Sequence, residues 1–223
     1  MTVRKDPLIS NAVYHIINRS IAKYTIFNND LDFSNYISRL KYYQNPIPSI
    51  RYSLLHAYSE YFLSQNIVNT SQNRYVDIIA YCVMPTHFHL ILRQNIDNGI
   101  SKFISDMLNS YTKYFNVRYK RKGPLWEGRF KNIPVKTDDQ LLHLTRYIHL
   151  NPTSANLVKK PEDWEYSSYR EYIGKVEKEK QICKFDDVLD IDSHDYKKFC
   201  EDRISYQKEI SKIKQILLEN YTG

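Results

Sequence analysis

Tyr75–Arg93 reads YVDIIAYCVMPTHFHLILR. Two apolar runs, Tyr75–Val83 and His87–Arg93, flank Met84–Thr86, where Pro85 turns the chain. Both runs have strand length, so the pattern predicts a β-hairpin. On a strand, residues i and i+2 point to the same side. His87 and His89 therefore share one face, while Phe88 points into the core. Two imidazoles side by side suit two ligands of one divalent ion. Two satisfied or solvent-facing histidines fit the same spacing.

Upstream of the hairpin, Ala12–Arg19 (AVYHIINR) predicts a strand. Asn28–Tyr43 predicts a helix with a polar start and with Phe33, Tyr36, Ile37 and Leu40 at helical spacing. Asn45–Ser49 (NPIPS) breaks it. Arg51–Val68 is apolar and tyrosine-rich and fits helix or strand, and Asn69–Asn73 predicts a loop. Downstream, Gly99–Tyr119 predicts a long amphipathic helix with Ile100, Phe103, Ile104, Met107, Leu108, Tyr111 and Phe115 on one side. Gly123-Pro124 ends it. Phe130–Val135 predicts a short strand that Pro134 confines to an edge. Thr137 is a good N-cap for the next helix, with Asp138 and Asp139 in its first turn. That helix is expected to stop near Asn151-Pro152.

The same helix carries a second constellation. His143, Tyr147 and Asn151 stand at i, i+4 and i+8, so neighbours touch along one face. At about 100° per residue, Leu141, Leu144 and Ile148 form the core stripe, with the polar trio at its border. There Tyr147 could act as a nucleophile and Asn151 could offer its amide oxygen to a metal. A border tyrosine bonded to water, and an asparagine capping the helix before Pro152, fit equally. A free tyrosine titrates near ~10, so a nucleophilic Tyr147 needs help, for which His143 is one candidate.

With 223 residues, 42% hydrophobic and 26% charged, the chain has a globular composition rather than a disordered one. It is long enough to bury a full core. No stretch matches the roughly 18 apolar residues of a membrane span. The first 25 residues carry His15, Asn18, Arg19 and Lys23, and so no signal-peptide core. Cys82, Cys183 and Cys200 form neither a disulfide framework nor a zinc ribbon, which points to a reducing cytoplasm.

The net charge of +7 is unevenly spread. Residues 175–223 hold 10 basic against 11 acidic side chains. Lys102–Lys136 hold nine basic residues and two acids, with aromatics interleaved. Such a block is expected of a phosphate-backbone contact, and bases stack on exposed aromatic faces at roughly 1–3 kcal/mol each. Lys113, Arg118, Lys120, Arg121, Lys122, Arg129 and Lys131 are the candidate cations, and Trp126 and Phe130 the candidate stacking faces. A solvated helix end would read similarly, and Trp126 also fits a core position.

Taken together, YHIINRS, IFNNDLDF, AYCVMPTHFHLILR, YFNVRYKRKGPLWEGRFK, RYIHLNPTSANLV and WEYSSY resemble, in order and rough spacing, the single-tyrosine HUH transposases. More specifically they are similar to the REP-associated tyrosine transposase branch. The resemblance covers about residues 12–174. It implies an α+β fold, a ferredoxin-like antiparallel sheet with helices packed on it. This fits a catalytic domain over 1–174 and a charged, mostly helical extension over 175–223. It further implies that His87 and His89 bind a catalytic Mg²⁺ or Mn²⁺, that Tyr147 is the nucleophile, and that Asn151 completes the metal site. The implied substrate is single-stranded or hairpin DNA of the bacterial-type nucleoid, cut and rejoined at imperfect palindromes through a 5′-phosphotyrosine. Monomer and homodimer both stay open. The chain departs from the family at Thr86, where asparagine is frequent, and at the insertion-like Ile50–Asn73. A domesticated, catalytically silent nucleic-acid-binding protein is the rival reading; the presence of both histidines and Tyr147 favours the enzyme. A zinc hydrolase would need a further ligand near His89, where only Asp97 stands.

Overall fold

The structure, a computed structural model, describes residues 6–46, 52 and 74–209. The undecided reading of Arg51–Val68 (Tyr52 apart), the loop at Asn69–Asn73 and the apolar stripe expected at Ile210, Ile213, Ile216 and Leu217 lie outside those residues. The chain divides into two compact units, one from Met1–Ile79 and Val83–Val135, the other from Ala80–Cys82 and Lys136–Gly223.

The first unit follows the predicted order closely: β1 (Val13–Arg19), α1 (Asp30–Tyr43), β2 (Val76–Met84), β3 (His87–Gln94), α2 (Gly99–Arg118) and β4 (Lys131–Val135). The strands form one sheet in the order β2-β3-β1-β4, with β1 antiparallel to both β3 and β4. Two strand–helix–strand halves interleave, as expected of the ferredoxin-like arrangement. β4 lies at an edge, where the missing N–H of Pro134 is tolerated.

Direct cross-strand partners share a face of the sheet. Tyr14 faces Leu92, Ile16 faces Leu90 and Asn18 faces Phe88 on one side. Their apolar members are buried, and Phe88 meets Tyr36 of α1 at 5.4 Å between ring centroids. Tyr36 in turn packs on Tyr111 of α2. The helices thus cover this side with an aromatic core. Asn29 caps α1 by accepting the Asp32 N–H, a contact typically contributing about 1 kcal/mol. The Asp32 carboxylate is buried and accepts from the Tyr114 hydroxyl at 2.9 Å and the Tyr119 hydroxyl at 2.6 Å, with Arg118 Nε at 3.5 Å. One carboxylate therefore clasps the start of α1 to the end of α2. The start of α2 passes so close to β2 that a Cβ on Gly99 would lie 2.2 Å from the Tyr75 carbonyl oxygen.

In the second unit, α3 (Asp138–Ser154) is capped by Thr137, which accepts the Gln140 N–H at 3.1 Å. The helix does not stop at Asn151, as the sequence suggested, but runs through Pro152 to Ser154. A proline in the last turn forfeits one donor without blocking the bonds that follow: Ala155 N–H still reaches the Asn151 carbonyl and Leu157 N–H the Pro152 carbonyl. α4 (Tyr169–Tyr172) and α5 (Ser193–Glu201) follow, and 204–209 are helical. Ala80–Cys82 belong here because Tyr81 N–H donates to Ser168 Oγ and the Ser168 N–H returns to the Tyr81 carbonyl. His149 is fully buried between the Tyr196 hydroxyl at 2.6 Å and Ser168 Oγ at 2.7 Å.

The units do not divide at Gly174. Glu171 accepts the backbone N–H groups of Ile182 and Cys183, and Cys183, Leu189, Tyr196 and Cys200 are buried. Residues past Gly174 thus supply part of the core that α3 and α4 need.

Candidate active site

The turn at Pro85-Thr86 leads straight into β3 at His87. As predicted, Phe88 points into the aromatic core, and this fixes His87 and His89 on the opposite face. Their rings stand edge to face with centroids 5.1 Å apart. Each is oriented by a different neighbour. His87 Nδ1 lies 3.0 Å from Thr86 Oγ1, and His89 Nδ1 lies 3.0 Å from His15 Nε2. In the tautomer that donates from Nδ1, the lone pair of each ring lies on Nε2, the arrangement by which metal-bound histidines are usually held.

Burial keeps these imidazoles uncharged. Desolvation pushes His15 down to about 4, and the same cause, helped by the Arg19 charge, takes His87 to about 4. His89 is driven well below the usual histidine range by burial and then by its two histidine neighbours. Neutral imidazole is the form that ligates, so the pair fits a divalent cation. Among the described residues no group of three or more His, Cys, Asp or Glu is arranged around one ion. The pair is accordingly a partial ligand set, with positions to spare for oxygen donors.

The register extends this face across three strands. His87 stands opposite Arg19, and His89 opposite Ile17, which in turn stands opposite Lys131. His15 stands opposite Ile91 and Ile133. Sequence reasoning singled out neither His15 nor Arg19. The alternation of AVYHIINR placed both on one side of a strand, but only the pairing of β1 with β3 says which side holds the histidines.

In the second unit, Tyr147 is 38% exposed, and burial of the rest raises its phenol above the ordinary tyrosine value. One turn before it, His143 Nδ1 accepts from Arg146 Nη2 at 2.7 Å, and its Nε2 lies 3.5 Å from Asp139. An arginine can only donate, so this contact holds His143 with its Nδ1 lone pair committed. One turn after Tyr147, the Asn151 amide nitrogen is buried with no hydrogen-bond partner among the described residues. Since α3 continues past it, Asn151 is not the helix cap.

Several of the expected DNA contacts are otherwise engaged. Phe130 is buried. Trp126 donates from Nε1 to Thr112 Oγ1 and packs on Tyr36, Phe88 and Tyr111. Phe130 is thereby withdrawn from stacking, and half-buried Trp126 spends much of its ring on the aromatic core. Arg121 shapes its own loop through the Asn116 side chain and the Gly123 and Pro124 carbonyls. Arg118 is drawn to Asp32. Lys113, Lys120, Lys122, Arg129 and Lys131 are exposed.

Residues 8–151 match the family model described as "Transposase IS200 like". The chain belongs to that family. Among curated proteins, it is 28% identical over 104 residues to a Haemophilus influenzae protein provisionally named as a REP-associated tyrosine transposase, covering 42% of this chain. It is 27% identical over 107 residues, 48% of this chain, to the Escherichia coli (strain K12) REP-associated tyrosine transposase. The matches span 58% and 62% of those two relatives' lengths. Both relatives fall in the branch that the motifs resemble. A solved REP-associated tyrosine transposase bound to a REP hairpin superposes with a TM-score of 0.52 at 17% identity, over 86% of this chain and 96% of that one. That likeness carries the fold: a four-stranded antiparallel sheet with helices, and helices in the C-terminal region. Among the described residues, no helix of this member of the IS200-like family is long and apolar enough to cross a membrane.

Proposed function

We propose that this IS200-like transposase cuts and rejoins single-stranded DNA at hairpin sites, with Tyr147 as nucleophile. The phenolic oxygen attacks the scissile phosphorus. The bond from phosphorus to the 3′ oxygen breaks, leaving a 5′-phosphotyrosine and a 3′-hydroxyl that carries the proton. The covalent ester conserves the energy of the broken phosphodiester, so a 3′-hydroxyl can reverse the attack without an added energy source.

The observation that carries this reading is the oriented imidazole pair. His87 and His89 stand side by side on one strand, each tied through Nδ1, uncharged at neutral pH. Held by their two Nε2 atoms and by the Asn151 amide oxygen, Mg²⁺ or Mn²⁺ would polarise the scissile phosphate and offset its developing charge. Two nitrogen donors suit Mn²⁺ better than Mg²⁺. Burial raises the Tyr147 phenol, so it holds its proton in the free protein. The exposed cations Lys113, Lys120, Lys122, Arg129 and Lys131 hold the strand by its backbone. Three buried free cysteines suit work in a reducing cytoplasm, where nucleoid DNA lies.

The test incubates the full chain with a DNA hairpin bearing a single-stranded flank, in Mn²⁺, and runs the products under denaturing conditions. A protein–DNA adduct that survives denaturation is expected, and none with Tyr147→Phe. An adduct that persists in that variant removes Tyr147 from the nucleophile's role.

A further inference from the structure

Arg19 ends β1 directly across from His87, on the face of the sheet that bears both histidines. The loop after α2 is zipped onto this strand end. Ser20 pairs with Trp126, the Glu127 N–H donates to the Arg19 carbonyl, and the Asn18 amide donates to the Gly128 carbonyl. That loop delivers the one acid of its segment, Glu127, whose Oε2 takes Arg19 Nε at 2.6 Å. Both side chains are about half exposed, and an ion pair so exposed stabilises little. The pair engages only Nε. The two terminal nitrogens of the guanidinium have no hydrogen-bond partner among the described residues. Lys131, two strands from His89 in the same cross-strand row, adds a second cation on this face.

We propose that Arg19 grips a phosphate of the DNA strand that lies against His87 and His89, releasing Glu127 for a phosphate oxygen. A planar fork of donors matches two phosphate oxygens at once. Glu127 holds the fork ready in the free protein, and its own charge opposes the phosphate it gives way to. The inference rests on the DNA-cutting reading and deepens it: it assigns to β1 the positioning of the substrate backbone beside the imidazoles.

Binding of a fluorescent DNA hairpin with a single-stranded flank, measured by anisotropy across a salt series without divalent ions, tests it. Arg19→Ala should weaken binding about tenfold at low salt. It should also make the slope of log affinity against log salt shallower by about 0.7, the share of one single-strand phosphate contact. Arg19→Lys should restore the slope but only part of the affinity, because a point charge replaces the fork. Glu127→Gln should keep the slope and bind more tightly. A wild-type slope in Arg19→Ala, or a loss in Glu127→Gln that matches it, overturns the assignment in favour of a surface latch. Should Arg19→Ala fail to fold, Arg19→Lys and Glu127→Gln decide between the same outcomes. A wild-type chain that forms the covalent adduct while Arg19→Ala keeps the slope sinks this inference alone. A wild-type chain that neither binds the hairpin nor forms the adduct sinks the DNA-cutting reading, and this inference with it.

Discussion

Thr86 shows how much of the site depends on atoms that never touch substrate. Its hydroxyl lies 3.0 Å from His87 Nδ1, and its carbonyl accepts the Ser20 N–H. The hydroxyl holds the ring's angle, and by accepting from Nδ1 it supports the tautomer that leaves Nε2 for a metal. Removing such a partner typically costs 10–100-fold in metal affinity. Thr86→Val, which keeps the shape, should therefore raise the Mn²⁺ concentration needed for half-maximal adduct formation by about tenfold. Thr86→Asn should hold the wild-type value, because its amide oxygen can accept from Nδ1. Equal Mn²⁺ demand in the valine variant would remove Thr86 from the ligand's support. At this scale the sequence was informative about residues whose type is chemically rare: the alternation of His87, Phe88 and His89 follows from strand geometry alone. It was silent on what His15, Thr86 and Arg19 do for the histidine pair. Their parts depend on which strand pairs with which and on a side-chain rotamer in a turn, and neither leaves a periodic trace.

Among elements, the contact between α1 and α2 decides where the basic segment begins. Asp32 is the third residue of a helix whose first turn already favours a negative charge, yet it also anchors Tyr114, Tyr119 and Arg118 from the far end of α2. Asp32→Ala would leave two half-buried hydroxyls and the Asn28 N–H without this acceptor. A loss of about 3 kcal/mol is expected, read as a lower urea midpoint with an unchanged slope. The same variant makes the chain more positive. If net charge alone governed DNA binding, affinity would rise; the clasp predicts that it falls, because the end of α2 loses its anchor. Strand and helix limits here were legible to within a residue or two, since caps such as Asn29 and Thr137 and the 3.6-residue stripe act locally. The overshoot of α3 through Pro152 was not, and the inward packing of Trp126 stays one of two alternatives in the sequence. The first depends on how a last turn closes. The second depends on three elements meeting in one aromatic core, although the amphipathic stripe of α2 already offered a surface to receive Trp126.

For the molecule as a whole, the change in composition at Gly174 marks a change of charge but not an end of packing. An acidic, lysine-rich stretch looks like a separate appendage because its polar residues outnumber its apolar ones. A handful of buried side chains is enough to bind it to α3 and α4, however, and hydrogen bonds reinforce them. Glu171 is the most telling of these bonds. It is nearly inaccessible, it accepts the N–H groups of Ile182 and Cys183, and it meets the Tyr81 hydroxyl at 3.5 Å. Desolvation raises its pKa in spite of those donors. The folded state therefore holds a proton on Glu171 more readily than the unfolded chain does. The stability this contributes is full below the ordinary glutamate value and is lost as pH rises through the folded one. Glu171→Gln removes the titration while keeping an acceptor for the backbone. Relative to the wild type, the variant should be close to neutral at pH 4 and more stable at pH 7. Urea unfolding at the two pH values measures the difference directly. A variant equally destabilised at both would mean that the carboxylate's hydrogen bonds to 182–183 outweigh the cost of burying its charge.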